Sequence, residues 1–128
     1  MPEGVLLRVL PDGGHEFVLE DPVLAEIVLG GRVTLRFGRT DVTVAGPCTL
    51  EVDGVAHQLD PAVTGSLAPV LSCHPGSARW LWASRSGVLR LVLMQGQRLV
   101  VPGPRPLPGS PPVSTWSVGR PAGDTRTS

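Results

Sequence analysis

A strand–turn–strand pattern that occurs twice constrains this chain more than any other feature. Residues 31–44 read GRVTLRFGRTDVTV, and residues 87–101 read GVLRLVLMQGQRLVV. An offset of 56 residues, with one extra residue in the second turn, aligns the two stretches. The alignment pairs Leu35 with Leu91, Phe37 with Leu93, Val42 with Leu99, and residues 25–27 with residues 81–83. Each copy predicts a three-stranded antiparallel meander.

The duplication predicts an all-β fold. Repeat 1 covers about residues 24–59, and repeat 2 covers about residues 80–118. One meander alone would leave an apolar face exposed to water, and a second meander can cover that face. We therefore expect a duplicated antiparallel meander that forms a small sandwich or a barrel.

Short apolar runs between turn residues predict the individual strands, because Gly and Pro end regular structure and this chain has 16 Gly and 14 Pro. A helix at residues 22–29 is an alternative for the third strand, but the duplication favours a strand there. The predicted strands lie near residues 4–10, 15–20, 24–29, 32–37, 41–46, 48–52, 55–59, 79–84, 87–94, 98–102 and 113–118.

The dipeptide Asp53-Gly54 predicts a tight hairpin, because a type I′ turn needs positive φ at both central residues. A two-residue turn pairs Val52 with Val55 and Leu50 with His57. Side chains alternate between the two faces of a strand, so one face of the hairpin carries most of its apolar residues. We expect this face to lie on the core; it consists of Cys48, Leu50, Val52, Val55, His57 and Leu59.

One short helix is predicted near residues 66–73, with Ser66 as its cap and Pro69 in its first turn. Leu67, Val70 and Leu71 would form its buried stripe.

The end of the chain has a different composition. Residues 102–112 are rich in proline and predict an extended segment within a single domain of residues 1–118. A final strand would dock Trp116 in the core, and residues 119–128 are predicted to be disordered.

Composition narrows the classes of function. The chain has 128 residues, and its 11 arginines balance 11 acidic residues, which argues against nucleic acid as a partner. No apolar run is long enough for a membrane span, and the N-terminus does not resemble a signal peptide. Two cysteines fit a reducing compartment, so we expect a cytoplasmic protein. The absence of Lys, Asn and Tyr indicates a high-GC bacterial genome.

Four stretches together resemble a small all-β domain family of actinobacteria that has a duplicated β-meander and no assigned function. They are residues 46–61, 66–71 and 87–102, together with Trp116. The family pattern has Asp-Gly where this chain has Gln95-Gly96, and it has Tyr-Glu-x-Trp where this chain has Val113-Ser114-Thr115-Trp116. The resemblance implies the all-β fold and no catalytic or binding residue.

Candidate catalytic and metal-binding residues are few. Cys48, His57, Cys73 and His74 lack the paired spacing typical of zinc ligands, so we expect no metal and no other cofactor. Cys73 follows the predicted helix, and a helix C-terminus does not activate a thiol as an N-terminus would. No carboxylate has a sequence setting that predicts a general acid or base.

The stretch Arg79-Trp80-Leu81-Trp82 is the most informative candidate site. Its two Trp side chains share one face of a strand. They either pack in the core or form an aromatic platform for a ligand or a partner. The full set of candidate ligand- or partner-binding residues is Trp80, Trp82, Arg79, His57, Arg90 and Trp116.

The pattern supports three hypotheses. The first is a non-catalytic accessory or regulatory module that binds another protein, since Trp and Arg are typical of protein interfaces. The second is a small β-barrel that holds an apolar small molecule, and one version of it is a cyclase-type enzyme of specialised metabolism. Both versions would require an open interior. The third is a structural subunit or homo-oligomer that assembles through edge strands at residues 4–10 and 113–118.

Overall fold

The structure is a computed structural model that describes residues 5–104, 109, 115–119 and 125–127 of the 128-residue chain. Its strands confirm the predicted all-β class, and one 3₁₀ helix, Thr64–Cys73, joins them. The strands are β1 (Val5–Val9), β2 (His15–Leu19), β3 (Val23–Leu29), β4 (Val33–Phe37), β5 (Thr40–Val44), β6 (Cys48–Val52), β7 (Val55–Leu59), β8 (Gly76–Ala83), β9 (Leu89–Leu93), β10 (Arg98–Val101), β11 (Trp116–Gly119) and β12 (Thr125–Thr127).

The described strands form two sheet layers that share β8. The first layer has the order β8-β9-β10-β6-β7, with the hairpin β1-β2 attached to the other edge of β8. The second layer has the order β12-β11-β5-β4-β3, and β3 pairs with the start of β8. Because the strand order ends at β7 and at β12, these strands make an open sheet that folds over as a sandwich, and they do not close into a barrel.

The core lies between the two layers. Leu35 and Val44 from the second layer line the same small interior space as Leu50, Leu91 and Leu99 from the first. All five side chains are buried, as the alternation of apolar and polar residues along their strands requires. The two meanders therefore cover each other's apolar faces, as the sequence predicts.

Both meanders have a β-bulge at the same position. The register shifts between Leu24 and Glu26 in β3 and between Ala78 and Trp80 in β8. Ile27 pairs with Leu35, and Leu81 pairs with Leu91, so the predicted alignment of residues 25–27 with residues 81–83 is wrong by two positions. The cause is the length of the first turn of each meander, which spans residues 84–88 in the second meander and only residues 30–32 in the first.

The β6–β7 hairpin has the predicted register, with Val52 opposite Val55 and Leu50 opposite His57. Asp53 and Gly54 both have positive φ, 52° and 80°, as a type I′ turn requires. The prediction that all of one face is core is wrong at the turn end, where Val55 is 56% exposed. Cys48, Leu50 and Leu59 of this face are buried, and Val52 is partly buried against the core.

The helix differs from the prediction in type and in capping. Its i→i+3 geometry places Leu67, Val70 and Cys73 on one buried face, whereas Leu71 is 58% exposed. Ser66 does not cap the helix; its hydroxyl oxygen accepts from the Asp60 N–H, and its single proton is donated to the carbonyl oxygen of Val63 or of Asp60. Pro69 lies inside the helix and not in the first turn.

The C-terminal residues also differ from the prediction. Trp116 begins β11, which pairs with β5, and its side chain lies in the core as predicted. Residues 125–127 form β12, which pairs with β11, although the sequence predicts a disordered tail there. Most of the proline-rich segment lies outside the described residues. In the described part of the chain, no helix is long and apolar enough to cross a membrane.

Candidate functional site

The two Trp residues of β8 form a stacked pair on the outer face of the first layer. Their ring centroids are 3.8 Å apart, and the ring planes differ by 22°. Leu81 and Ala83 alternate with them and are buried, so the tryptophans point away from the core. Trp80 is 43% exposed and Trp82 is half-buried. The structure thus places the pair on the surface and not in the core.

Neighbouring strands extend this surface. Trp80 lies opposite Val92, and Trp82 lies opposite Arg90. Val100 of β10 lies opposite Arg90, and it is half-buried like Val92. We call these five residues the tryptophan face. An aromatic pair next to aliphatic side chains and an exposed guanidinium has the composition of the energetic centre of a protein interface.

A cleft borders the tryptophan face where β2 separates from β8. The two strands pair only at His15–Ala83 and Glu16–Trp82, and β8 next pairs with β3 at Ser77. Between these contacts the strand edges part and leave a volume of about 150 Å³. The cleft is lined by Glu16, Phe17, Val18, Leu19 and Pro22 on one side and by Ala78, Arg79, Trp80 and Leu81 on the other.

Arg79 and Arg90 lie on either side of the tryptophan pair. Arg79 occupies the bulge position of β8, lines the cleft and is exposed. Arg90 is exposed on β9. Across the part of the chain that the structure describes, neither guanidinium has a carboxylate oxygen within 4.0 Å. Glu16 of β2 lies opposite Trp82, and its carboxylate lies 3.9 Å from Arg8.

The outer face of the second layer has the opposite arrangement. Arg36 donates hydrogen bonds to Asp41 at 2.9 Å and to Glu26 at 2.6 Å, across both neighbouring strands. The hydrogen bonds and charges of these two carboxylates raise the pKa of Arg36. Its charge is therefore matched within the fold, whereas the charges of Arg79 and Arg90 are open to a partner.

Two of the predicted site residues lie away from this surface. His57 faces the inner side of β7, since it pairs with the buried Leu50, and three strands separate β7 from β8. At about 4.8 Å per strand, the distance from His57 to the tryptophan pair is roughly 19 Å. Trp116 is 6% exposed, and its Nε1–H donates to the carbonyl oxygen of Gly87 at 2.7 Å. The structure therefore brings together Trp80, Trp82, Arg79 and Arg90, and leaves out His57 and Trp116.

The cleft and the valines of the tryptophan face are not among the predicted site residues. Alternation along β9 and β10 could have indicated that Val92 and Val100 point outward with Arg90. Nothing local in the sequence indicates the cleft, because it arises where two distant parts of the chain pair with the same edge of β8.

The interior of the sandwich is filled. The space between the layers amounts to about 10 Å³ and is lined by aliphatic side chains, both cysteines and Gln97. That volume is about the minimum for one water molecule and is far below the roughly 300 Å³ of a small-molecule site. The described interior therefore has no room for an apolar ligand of that size.

Both cysteines are buried. Burial raises the pKa of both the Cys48 and the Cys73 thiol to about 11. A raised pKa keeps these thiols protonated at neutral pH, and a protonated thiol is a poor nucleophile. Among the described side chains, no three of the His, Cys, Asp or Glu type come together as a metal site.

Comparison of the chain with protein-family models, with curated proteins and with solved structures finds no match in any of the three. No function is therefore transferred to this chain from a relative.

Proposed function

We propose that this chain is a non-catalytic module that binds another protein through its tryptophan face. The main support for this proposal is the stacked Trp80–Trp82 pair on the outer face of the first layer. Trp is among the residue types that contribute most to binding free energy, and such residues cluster near the centre of an interface. Cytoplasmic accessory and regulatory roles in a high-GC bacterium are consistent with this activity.

The packing around the pair supports an interface more than a role in stability. Trp80 and Trp82 contact the rest of the fold from outside the layer, while the core beneath them is filled by Leu81 and Leu91. A monomer gains little free energy by leaving a large aromatic side chain 43% exposed. A partner that covers the tryptophan pair would gain free energy by burying the part of the two rings that is exposed in the monomer.

The alternative, a barrel that binds an apolar small molecule, has less support. It requires an interior of several hundred Å³. The described strands form an open sheet around a space of only about 10 Å³. We therefore do not propose this function, nor the cyclase-type activity that depends on the same cavity.

The test is native mass spectrometry of the protein purified gently from its own host. The double variant Trp80→Ala/Trp82→Ala should lose a stoichiometric protein partner that the wild type retains. The matched control is Leu71→Ala, which removes an exposed apolar side chain from the helix, outside the tryptophan face. Retention of the partner by the double variant, or a wild-type protein that carries no partner, would contradict the proposal.

A further inference from the structure

The cleft beside Trp80 and the two unmatched arginines constrain the chemistry of the partner, and this inference rests on the proposed function. Arg79 and Trp80 both line the cleft, and Arg90 lies opposite Trp82. Among the described residues, neither arginine has a carboxylate within 4.0 Å. An interface that covers these guanidinium groups needs opposite charge on the other side, because an unpaired buried charge is costly.

The size of the cleft limits what can enter it. Its volume of about 150 Å³ is below the range of drug-sized ligands, which begins at roughly 300 Å³. The space suits one side chain that projects from a larger molecule. Its walls are partly polar because the edges of β2 and β8 part there. A side chain that has both an apolar stem and a charged end fits these walls.

We infer that the tryptophan face binds an acidic protein segment, and that one Asp or Glu side chain of this segment enters the cleft against Arg79. A neighbouring apolar side chain of the segment packs on Trp80, and a second carboxylate pairs with Arg90. Glu16 lines the far end of the cleft and repels the incoming carboxylate, so the contact lies at the Arg79 end. Arg8 lies 3.9 Å from Glu16, and this exposed arginine offsets the repulsion only in part.

The experiment uses blocked hexapeptides as probes, titrated into the ¹⁵N-labelled full chain. One peptide alternates leucine with glutamate, a second alternates leucine with lysine, and a third alternates leucine with serine. The readout is the set of three indole N–H signals, since the chain has three Trp residues. Trp116 is buried and hydrogen-bonded to Gly87, so its signal reports that the fold is unchanged.

We expect the leucine–glutamate peptide to shift the indole signals of Trp80 and Trp82 and to bind most tightly of the three. The double variant Arg79→Ala/Arg90→Ala should weaken this binding about 10-fold, the range expected for two interface charge pairs. The variant Glu16→Gln should strengthen binding, because it removes the repulsion in the cleft. The matched control Arg32→Ala, an exposed arginine in the turn between β3 and β4, should leave binding unchanged.

Three outcomes overturn the inference while leaving the proposed function in place. The first is equal binding of the lysine or serine peptide, and the second is an unchanged dissociation constant in the double arginine variant. Absence of any shift with the glutamate peptide at millimolar concentration overturns it as well. Failure of the proposed function is recognised separately, by a host partner that remains bound to the double tryptophan variant.

Discussion

The substitution Trp116→Phe tests whether the third tryptophan belongs to the core. Trp116 is 6% exposed, and its ring lies 6.0 Å from Phe17 in an edge-to-face arrangement. Its Nε1–H donates to the Gly87 carbonyl oxygen at 2.7 Å. Phenylalanine retains most of the apolar contact but leaves this part-buried carbonyl without its donor, which costs about 1–2 kcal/mol. The lost part of the indole adds roughly 1 kcal/mol for incomplete packing.

We therefore expect Trp116→Phe to lower the free energy of unfolding by about 2–3 kcal/mol. The corresponding fall in melting temperature is about 10 °C for a domain of this size. Urea and thermal unfolding, followed by circular dichroism, measure both quantities. The matched control is Trp80→Phe, which makes the same chemical change on the exposed face and should cost less than about 0.5 kcal/mol. Equal destabilisation by the two variants, or a loss below about 1 kcal/mol for Trp116→Phe, would refute the assignment of Trp116 to the core.

Two further predictions concern the hairpin turn and the buried thiols. Gly54→Ala should destabilise the fold by about 1 kcal/mol, because φ is +80° at this position. The control is Gly65→Ala, which should be neutral, since an added Cβ meets nothing within 4 Å at either glycine. Equal melting temperatures of the two variants would contradict this reasoning. The folded state keeps the Cys48 and Cys73 thiols protonated up to a pKa of about 11, against an ordinary value near 9, so stability should fall as pH rises from about 9 to 11. The double variant Cys48→Ala/Cys73→Ala should lose this part of the slope in urea unfolding measured across that pH range, and an unchanged slope would count against burial of the thiols.

Local rules predicted most of the strands and the best-defined turn. The Asp53-Gly54 dipeptide determines the register of the β6–β7 hairpin because few residue pairs adopt positive φ at both positions. The helix was predicted less well. In a short run such as SLAPVLSC, the apolar residues fit both the three-residue period of a 3₁₀ helix and the 3.6-residue period of an α-helix. The burial of Leu67, Val70 and Cys73 on one face selects the 3₁₀ form.

The candidate site could be predicted only in part. Alternation along β8 establishes that Trp80 and Trp82 share a face, but both faces of this strand are apolar, since Leu81 and Ala83 form the other. Which face is buried depends on the second layer, to which β8 is joined through β3. The cleft depends on the same non-local pairing, so neither feature can be predicted from a window of sequence around Arg79.

The two outer faces of the sandwich differ in how their charges are matched, and this difference bears on function. On the second layer, Arg36 is held between Glu26 and Asp41, so the charge of this arginine is matched within the fold. On the first layer, Arg90 stands beside an exposed aromatic pair without a carboxylate within 4.0 Å in the described residues. Stability does not require this difference, because exposed polar side chains on either layer would leave the shared core unchanged. The acidic partner proposed above would bring carboxylates and apolar surface to the tryptophan face, and would match both the charge of Arg90 and the exposed tryptophans.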